Sequence, residues 1–268
     1  MQRKEEGMRR SVMVVTVCVG VLVGGVVGAG PADLPHYMCR KALSPIVVDG
    51  HLEEFAWQAA ERIGRFTKVG DFRKPDRSDL TIFHHTEAAM VWDEEYLYIG
   101  FACVDPDMWT TMTQRDDPLW GEEVVEVFID PDGDGKEYAE LEVNPLNAVV
   151  DLKVSAKPEG GVGWSSMEWD IEGLKTAVAV YGTVNEREDR DQGWTVEIAI
   201  PWTGLKDIPP GITGPPEEGA QWRINLYRIE RPKDKKKVGD EYLAWSSVRI
   251  LNFHVPERFG VVEFTRKW

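Results

Sequence analysis

The sequence contains few cysteines and too few basic residues to balance its acidic ones. Of 268 residues only 3 are Cys, and 31 Lys+Arg stand against 46 Asp+Glu, which gives a formal net charge of -15. A protein that binds nucleic acid needs a basic surface for the phosphates, so the charge argues against that class of partner. It argues equally against an anionic lipid surface. The cysteines also lack the spacing of a zinc site or a thioredoxin-type motif.

The N-terminus carries a long apolar run. Four basic residues in the first ten precede the uncharged run 12–27, and small residues follow at 27–29. This pattern is typical of a secretory signal peptide. We therefore predict that residues 1–29 are removed and that the product is exported, as an extracellular, periplasmic or cell-surface protein, with no membrane insertion after cleavage. Because the run approaches spanning length, an uncleaved anchor is the alternative.

Removal of that segment leaves Cys39 and Cys103. Two thiols in an oxidising compartment can form one bridge, which would tie the N-terminal segment to the end of a predicted strand. We therefore predict a disulfide between Cys39 and Cys103. The alternative is a pair of buried free cysteines, which behave as small hydrophobic residues.

Helical periodicity is scarce after the apolar run, with one short segment at 53–63. Strand patterns dominate, and the runs are separated by turn residues, which is typical of an antiparallel sandwich. No internal repeat or domain linker interrupts the chain. We predict an all-β, immunoglobulin-like or jelly-roll-like antiparallel β-sandwich forming a single domain over 30–268. The predicted strands are 88–92, 96–104, 124–129, 138–143, 149–154, 176–184, 194–200, 222–229, 243–245 and 260–264.

Three connecting segments have distinctive compositions. The segment 209–219 is rich in Pro and Gly and is predicted to be an exposed loop, and the charged segment 231–240 is predicted to be solvated. In the loop 130–136, Asp130, Asp132 and Asp134 alternate with Pro and Gly. This spacing suits a structural calcium ion, but an ordinary Asp/Gly-rich hairpin turn explains it as well.

Several segments, read in order, resemble the family 9 carbohydrate-binding modules. No single segment is specific, but their order and spacing extend over nearly the whole predicted mature chain. The segments are 45–50, Trp57, 91–99, 119–130, 142–144, 244–247 and 256–260.

The resemblance implies a β-sandwich that holds a sugar between two aromatic rings. It assigns the first ring to Trp120 and the second to Phe253, with His254 beside it. It also implies that Glu126 and Asn144 bind sugar hydroxyls. The chain departs from the better-known members in two places, since Phe and His stand at 253–254 instead of Trp and Arg, and Glu142 replaces an Arg.

Strand periodicity supports a polar platform independently of the resemblance. In the run 138–144, Tyr138, Glu140, Glu142 and Asn144 share one face, while Ala139, Leu141 and Val143 share the face predicted to pack inward. Glu126 joins the polar face if the hairpin register has the right parity. A solvent-facing position explains Glu126 equally well, and Trp120 alone could be a core residue.

The adjacent acids Glu140 and Glu142 would also attract a cation. A calcium ion is one candidate, and Arg228 on a predicted strand is another. Flat aromatic surface with a few fixed polar groups matches a pyranose, which has an apolar C–H face and a polar rim.

We interpret the protein as a non-catalytic, glycan-binding protein that supports carbohydrate catabolism beside glycan-degrading enzymes. One alternative is a glycoside hydrolase using two of Glu126, Glu140 and Glu142 as acid and base. A second is a haem-binding sandwich of an electron-transfer complex. No haem is expected, because the sequence has no attachment motif and offers axial ligands only by count, namely Met90, Met108, Met112 and Met167.

Overall fold

Short strands joined by tight turns account for most of the described chain. The computed structural model describes residues 34–64, 66–69, 81–157, 162–236 and 238–268, so the predicted signal peptide lies outside the described residues. Residues Leu34–Trp268 form one compact unit. Among the described residues, no helix combines the length and apolar character needed to cross a bilayer.

The strands agree closely with the sequence-based prediction. Three 3₁₀ turns, at Leu119–Gly121, Trp202–Leu205 and Pro256–Arg258, and one helix, α1 (Phe55–Ala59), accompany them in the described ranges. The strands are β1 (His36–Lys41), β2 (Thr67–Lys68), β3 (Thr86–Trp92), β4 (Tyr96–Val104), β5 (Val124–Asp130), β6 (Glu137–Val143), β7 (Val149–Ala156), β8 (Val162–Ser166), β9 (Lys175–Tyr181), β10 (Gly193–Pro201), β11 (Gln221–Glu230), β12 (Glu241–Ala244) and β13 (Gly260–Thr265).

The strands form one curled sheet in the order β8-β7-β6-β5-β11-β13-β1-β3-β4-β10-β9, with β12 and β2 attached beside β11. Neighbours are antiparallel except that β1 runs parallel to both β13 and β3. The two halves of the sheet share one apolar core, since Met90 and Ile198 from one half belong to the same buried cluster as Leu141 and Leu226 from the other. This arrangement confirms the predicted single-domain β-sandwich.

Tight turns fix the register of the hairpins. In the turn between β3 and β4, the carboxylate of Asp93 accepts the backbone N–H groups of Glu95 and Tyr96. Such an Asx turn satisfies donors that the strands cannot reach. The predicted helix at 53–63 is reduced to the five residues of α1, whose Trp57 is buried and donates to Glu197.

Three strands were missed by the sequence analysis. β1 has a core-facing Tyr37 and Cys39 but ends in two basic residues, and β2 has only two residues. β8 lies at the edge of the sheet and its Trp164 is exposed. These strands were missed because their apolar and polar residues alternate only weakly. A strand shows clear alternation at every second residue only when one of its faces is buried.

The predicted disulfide is wrong. Cys39 and Cys103 are both buried free cysteines. Cys39 lies on β1 and Cys103 on β4, and β3 separates these two strands. Two interstrand spacings amount to about 10 Å, whereas a disulfide needs Cα atoms within about 7 Å. Burial raises the pKa of both thiols, that of Cys103 to about 12. The thiols therefore act as core residues, which was the alternative interpretation.

Candidate functional site

A cavity of about 470 Å³ opens on the outer face of β5 and β6. Its volume falls within the usual range of small-ligand pockets. Strands β5, β6, β7 and β11 supply its floor, while the 3₁₀ turn at Leu119–Gly121, β8, β12 and the segment before β13 supply its walls. The lining residues are Trp120, Glu126, Phe128, Glu140, Glu142, Leu152, Val162, Ser165, Ile229, Arg231, Tyr242, Leu251, Asn252, Phe253 and His254.

The two predicted aromatic residues, Trp120 and Phe253, line this same cavity. Trp120 lies on the 3₁₀ turn before β5 and keeps 42% of its surface exposed. Phe253 stacks on Tyr227, with ring centroids 4.3 Å apart and planes inclined by 6°. Tyr227 therefore covers one face of the Phe253 ring, and Tyr242 packs at a steep angle to it with ring centroids 6.2 Å apart.

Three glutamates form the polar part of the floor, and we call Glu126, Glu140 and Glu142 the open cluster. Glu126 lies directly opposite Glu142 across the β5–β6 pair, and Glu140 lies opposite Phe128. The hairpin register therefore has the parity that places all three on one face, while Leu141 and Val143 pack into the core. One carboxylate oxygen from each residue lies within 4.8 Å of the other two.

The open cluster is buried, and no cation of the described residues bonds it, although the nearby charge of Arg231 lowers the pKa of Glu126 against the effect of burial. Four of its oxygens accept no well-formed hydrogen bond: one each from Glu126 and Glu140 and both from Glu142, whose polar neighbours include the Trp120 backbone N–H. Burial raises the pKa of all three carboxyls, and the neighbouring carboxylates raise those of Glu126 and Glu142 further. Ionised carboxylates are costly to bury without partners, so the cluster favours its protonated form until a cation approaches.

Arg231 brings the basic group into the cavity, a role the sequence analysis did not anticipate. Its guanidinium donates to the carboxylate of Asp240 at 2.6 Å, to the hydroxyl of Tyr242 at 2.6 Å and to the backbone carbonyl of Trp120 at 3.1 Å. The feature of the sequence that could have indicated this role is the position of Arg231 directly after the strand β11. The prediction that 231–240 is solvated is therefore wrong at this residue, which is mostly buried.

His254 lies on the cavity wall beside Phe253, as the resemblance implied. Its Nδ1 lies 2.8 Å from the hydroxyl of Tyr138, and its ring lies 5.3 Å from that of Phe128. Burial lowers the pKa of His254 to about 4. The imidazole is therefore neutral at physiological pH and adds no positive charge to the open cluster.

Asn144 was predicted in the site but lies outside the cavity lining. Its amide oxygen accepts the backbone N–H groups of Leu146 and Ala148 in the β6–β7 turn. Its amide nitrogen donates to the Thr110 hydroxyl and the Met112 carbonyl. Because these bonds occupy both ends of the amide, Asn144 holds the turn in this structure.

Arg228 also lies elsewhere, because of strand parity. It pairs with Val125, which faces the core, whereas its neighbour Tyr227 pairs with Glu126. The fully buried guanidinium bonds Asp105 at 3.2 Å and also bonds Glu230. Together with Glu123 these residues form a second group of three buried acids, Asp105, Glu123 and Glu230, which we call the closed cluster.

The loop 130–136 brings its three predicted calcium ligands together. Carboxylate oxygens of Asp130, Asp132 and Asp134 lie within 4.8 Å of one another. Each carboxylate already accepts a backbone N–H of the loop, and Lys136 pairs with Asp134 at 2.6 Å. Bonds of this kind are typical of an Asp/Gly hairpin turn that is stabilised by hydrogen bonds within the loop itself. Calcium binding here stays a prediction.

Several known structures share the fold. A candidate carbohydrate-binding protein from Bacteroides uniformis has a TM-score of 0.63 at 16% identity, covering 86% of this chain and 99% of its own. A family 9 carbohydrate-binding module from Caldicellulosiruptor kristjanssonii in complex with cellotriose has a TM-score of 0.56 at 14% identity, covering 87% and 95%. Its complex with glucose has a TM-score of 0.54 at 13% identity, covering 87% and 97%.

The sequence comparisons give the family. No curated protein sequence matches the chain significantly. The family model for carbohydrate family 9 binding domain-like proteins matches residues 48–267, which is most of the chain and includes every strand from β2 to β13. The chain therefore belongs to the carbohydrate family 9 binding domain-like family.

Proposed function

We propose that this is an exported carbohydrate-binding protein that holds a sugar in the cavity between Trp120 and Phe253 without chemical turnover. The observation that carries the proposal is the combination, in one cavity, of two aromatic rings on the walls and a cluster of carboxylates on the floor. Rings pack against the apolar C–H face of a pyranose, while carboxylates accept hydrogen bonds from its hydroxyls. We propose a role in carbohydrate catabolism beside glycan-degrading enzymes.

The ligands of structural neighbours support the class of ligand. The Caldicellulosiruptor kristjanssonii module is in complex with cellotriose in one structure and with glucose in another. Glucose and cello-oligosaccharides are therefore the first sugars to test. The cavity of about 470 Å³ has room for a bound saccharide unit.

The arrangement of the acids favours binding over hydrolysis. Glycoside hydrolases place two carboxyl groups on either side of the bond that is cut. Here Glu126, Glu140 and Glu142 lie on one face of a single β-hairpin, so they approach a ligand from the same side. Their raised pKa values are nonetheless a property of general acids, which keeps hydrolysis as the second candidate.

Isothermal titration with glucose, cellotriose and a broad glycan panel tests the proposal. We expect saturable binding that Trp120→Ala weakens at least tenfold, because the substitution removes the exposed ring. Trp268→Ala is the matched control, since Trp268 is 46% exposed and bonds Lys41 away from the cavity lining. Wild-type protein that binds no sugar in the panel, or equal loss in both variants, would contradict the proposal.

Chromogenic glycosides separate the second candidate from the first. A binding protein releases no product, whereas a hydrolase releases the chromophore at a rate that Glu126→Gln or Glu142→Gln abolishes. Turnover that depends on these residues would replace the binding proposal with hydrolysis.

A further inference from the structure

The floor of the cavity holds three buried carboxyl groups, with more acceptor oxygens than the described lining residues supply donors for. Glu142 is fully buried and lines the cavity, and neither of its carboxylate oxygens accepts a well-formed hydrogen bond. Its polar neighbours include the carboxyl of Glu140 and the backbone N–H of Trp120. Glu126 and Glu140 each add one more unpartnered oxygen beside it. A buried acceptor group without a donor costs free energy in the unliganded protein, so these oxygens are positioned for donors that a ligand brings.

The basic residue of the cavity wall does not supply these donors. The Nη1 and Nη2 atoms of Arg231 are engaged by Asp240, Tyr242 and the Trp120 carbonyl, and its buried Nε bonds neither these oxygens nor another group in the described part of the chain. The Nδ1 atom of His254 lies 3.9 Å from Glu140, beyond hydrogen-bonding distance, and closer to Tyr138. Among the described lining residues, the open cluster thus has no built-in cation that bonds it.

The oxygens lie close enough together for one protonated amine to reach all three. An –NH₃⁺ group has three N–H donors, and charge-assisted bonds of about 2.8 Å in tetrahedral directions place three acceptors about 4.6 Å apart. The open cluster offers one oxygen from each of three glutamates, all within 4.8 Å of one another. A calcium ion instead requires six to eight oxygen ligands, which three carboxylates on one side of a cavity supply poorly.

We propose that the cavity selects a cationic saccharide, in which the protonated amine of an amino sugar bonds Glu126, Glu140 and Glu142 while the ring packs against Trp120. This inference rests on the proposed function, because the aromatic wall must hold a sugar for the amine to be placed over the floor. The ligand class is a hexosamine or a short polymer of one with free amino groups. N-acetylation removes both the charge and two of the donors, so the acetylated sugar lacks the group that the floor recognises.

Calorimetric titration with glucosamine, N-acetylglucosamine and glucose, each at equal ionic strength and pH 6.5, tests the inference. We expect glucosamine to bind at least tenfold more tightly than the other two, and chitosan oligosaccharides more tightly than chitin oligosaccharides of equal length. In Glu142→Gln the ratio of glucosamine to glucose affinity should fall toward one. Glu257→Gln is the matched control, because Glu257 is exposed and does not line the cavity.

The outcomes separate the two proposals. Equal or tighter binding of glucose overturns the amino-sugar inference and leaves the sugar-binding function standing, whereas binding of no sugar overturns both. Binding that EDTA abolishes and calcium restores shows that the open cluster holds a metal ion, which also overturns the inference. Ethanolamine, an amine without a sugar ring, should bind at least tenfold more weakly than glucosamine. Equal binding would show a general attraction of cations to an acidic protein.

Discussion

The open and closed clusters are two groups of three buried acids in the same curled sheet, and they differ in whether a cation bonds them. In the closed cluster Arg228 bonds Asp105 and Glu230, and Glu123 accepts the backbone N–H of Trp109. One oxygen each of Glu123 and Glu230 stays without a partner there. In the open cluster no guanidinium of the described residues bonds any of the three acids, and neither oxygen of Glu142 accepts a well-formed hydrogen bond. Removing the cation from a buried ion pair is strongly destabilising, whereas a buried acid that no cation bonds, at the floor of a cavity, is available to a ligand.

The strongest test of this comparison removes the internal cation. Arg228→Met leaves three buried carboxylates without their guanidinium, so we expect the free energy of unfolding to fall by about 3 to 5 kcal/mol. Urea denaturation at pH 7 measures the change. Arg223 lies on the same strand, and its guanidinium donates to the backbone carbonyl of Glu257. Arg223→Met should lower the free energy of unfolding by less than about 1 kcal/mol. Equal effects of the two substitutions would remove the distinction between the clusters.

The open cluster should respond in the opposite direction. Burial and the neighbouring acids raise the pKa of Glu142 in the folded protein. Above about pH 4.5 the folded protein therefore still has this carboxyl protonated, whereas the unfolded chain has lost the proton. Stability therefore falls as the pH rises through that value, and Glu142→Gln should raise the free energy of unfolding at pH 7 by about 1 to 3 kcal/mol.

Urea denaturation of Glu142→Gln at pH 7 and pH 4 checks both the sign and the pH dependence. The stabilisation should shrink at pH 4, where the unfolded carboxyl is largely protonated too. Glu257→Gln, an exposed site, should change stability by less than about 0.5 kcal/mol at either pH. A Glu142→Gln variant that is less stable at pH 7 would indicate that the wild-type carboxylate has an internal partner.

Acid should weaken the region around the closed cluster. Burial opposes the charge of Glu241, but hydrogen bonds from His84, from the Phe83 and His84 backbone and from Lys68 outweigh it and lower the pKa of Glu241 to about 2. This carboxylate contributes stability above about pH 4.5 that is lost as the pH falls toward 2. In Glu241→Gln the decline in stability between pH 5 and 2 should be shallower by about 1 kcal/mol. An unchanged slope would show that these bonds do not favour the charged form.

The smallest effect concerns the thiols, one of which lies beside the closed cluster. Cys103 is buried, and its pKa is raised to about 12, mainly by burial and to a smaller extent by the neighbouring carboxylate of Asp105. A reductant should leave the melting temperature unchanged, and Ellman's reagent should label Cys39 and Cys103 in urea but not in the native protein. A melting temperature that falls on reduction would show a disulfide.

The faces of the strands could be predicted from the sequence, but the partners across the sheet could not. The alternation over 138–144 correctly placed Glu140 and Glu142 opposite to Leu141 and Val143, because a strand turns successive side chains to opposite faces. The parity that brings Glu126 to Glu142 was left open, since it depends on the length of the 130–136 loop.

The sequence analysis did not foresee the hydrogen-bond partners of Arg228, Asn144 and Arg231, for one shared reason. Each of these polar side chains forms hydrogen bonds with residues that are distant in the sequence. Arg228 bonds Asp105, for example, and Arg231 bonds the backbone carbonyl of Trp120. A local pattern shows that a polar residue lies near a strand, but not which charge lies opposite. The cysteine prediction failed for the same reason, because β3 separates β1 from β4 only in the folded sheet.

The sequence by itself determined the all-β class, most strand positions, the inward and outward faces of β6 and the family resemblance. These depend on local alternation and on motif order, which are properties of the chain alone. The tertiary structure decided which acids meet which cations, because β5 pairs with β11 although about ninety residues separate them in the chain. That pairing places Arg228 on the inner face and leaves no cation of the described residues bonded to the open cluster, so the character of the cavity is a property of the folded sheet.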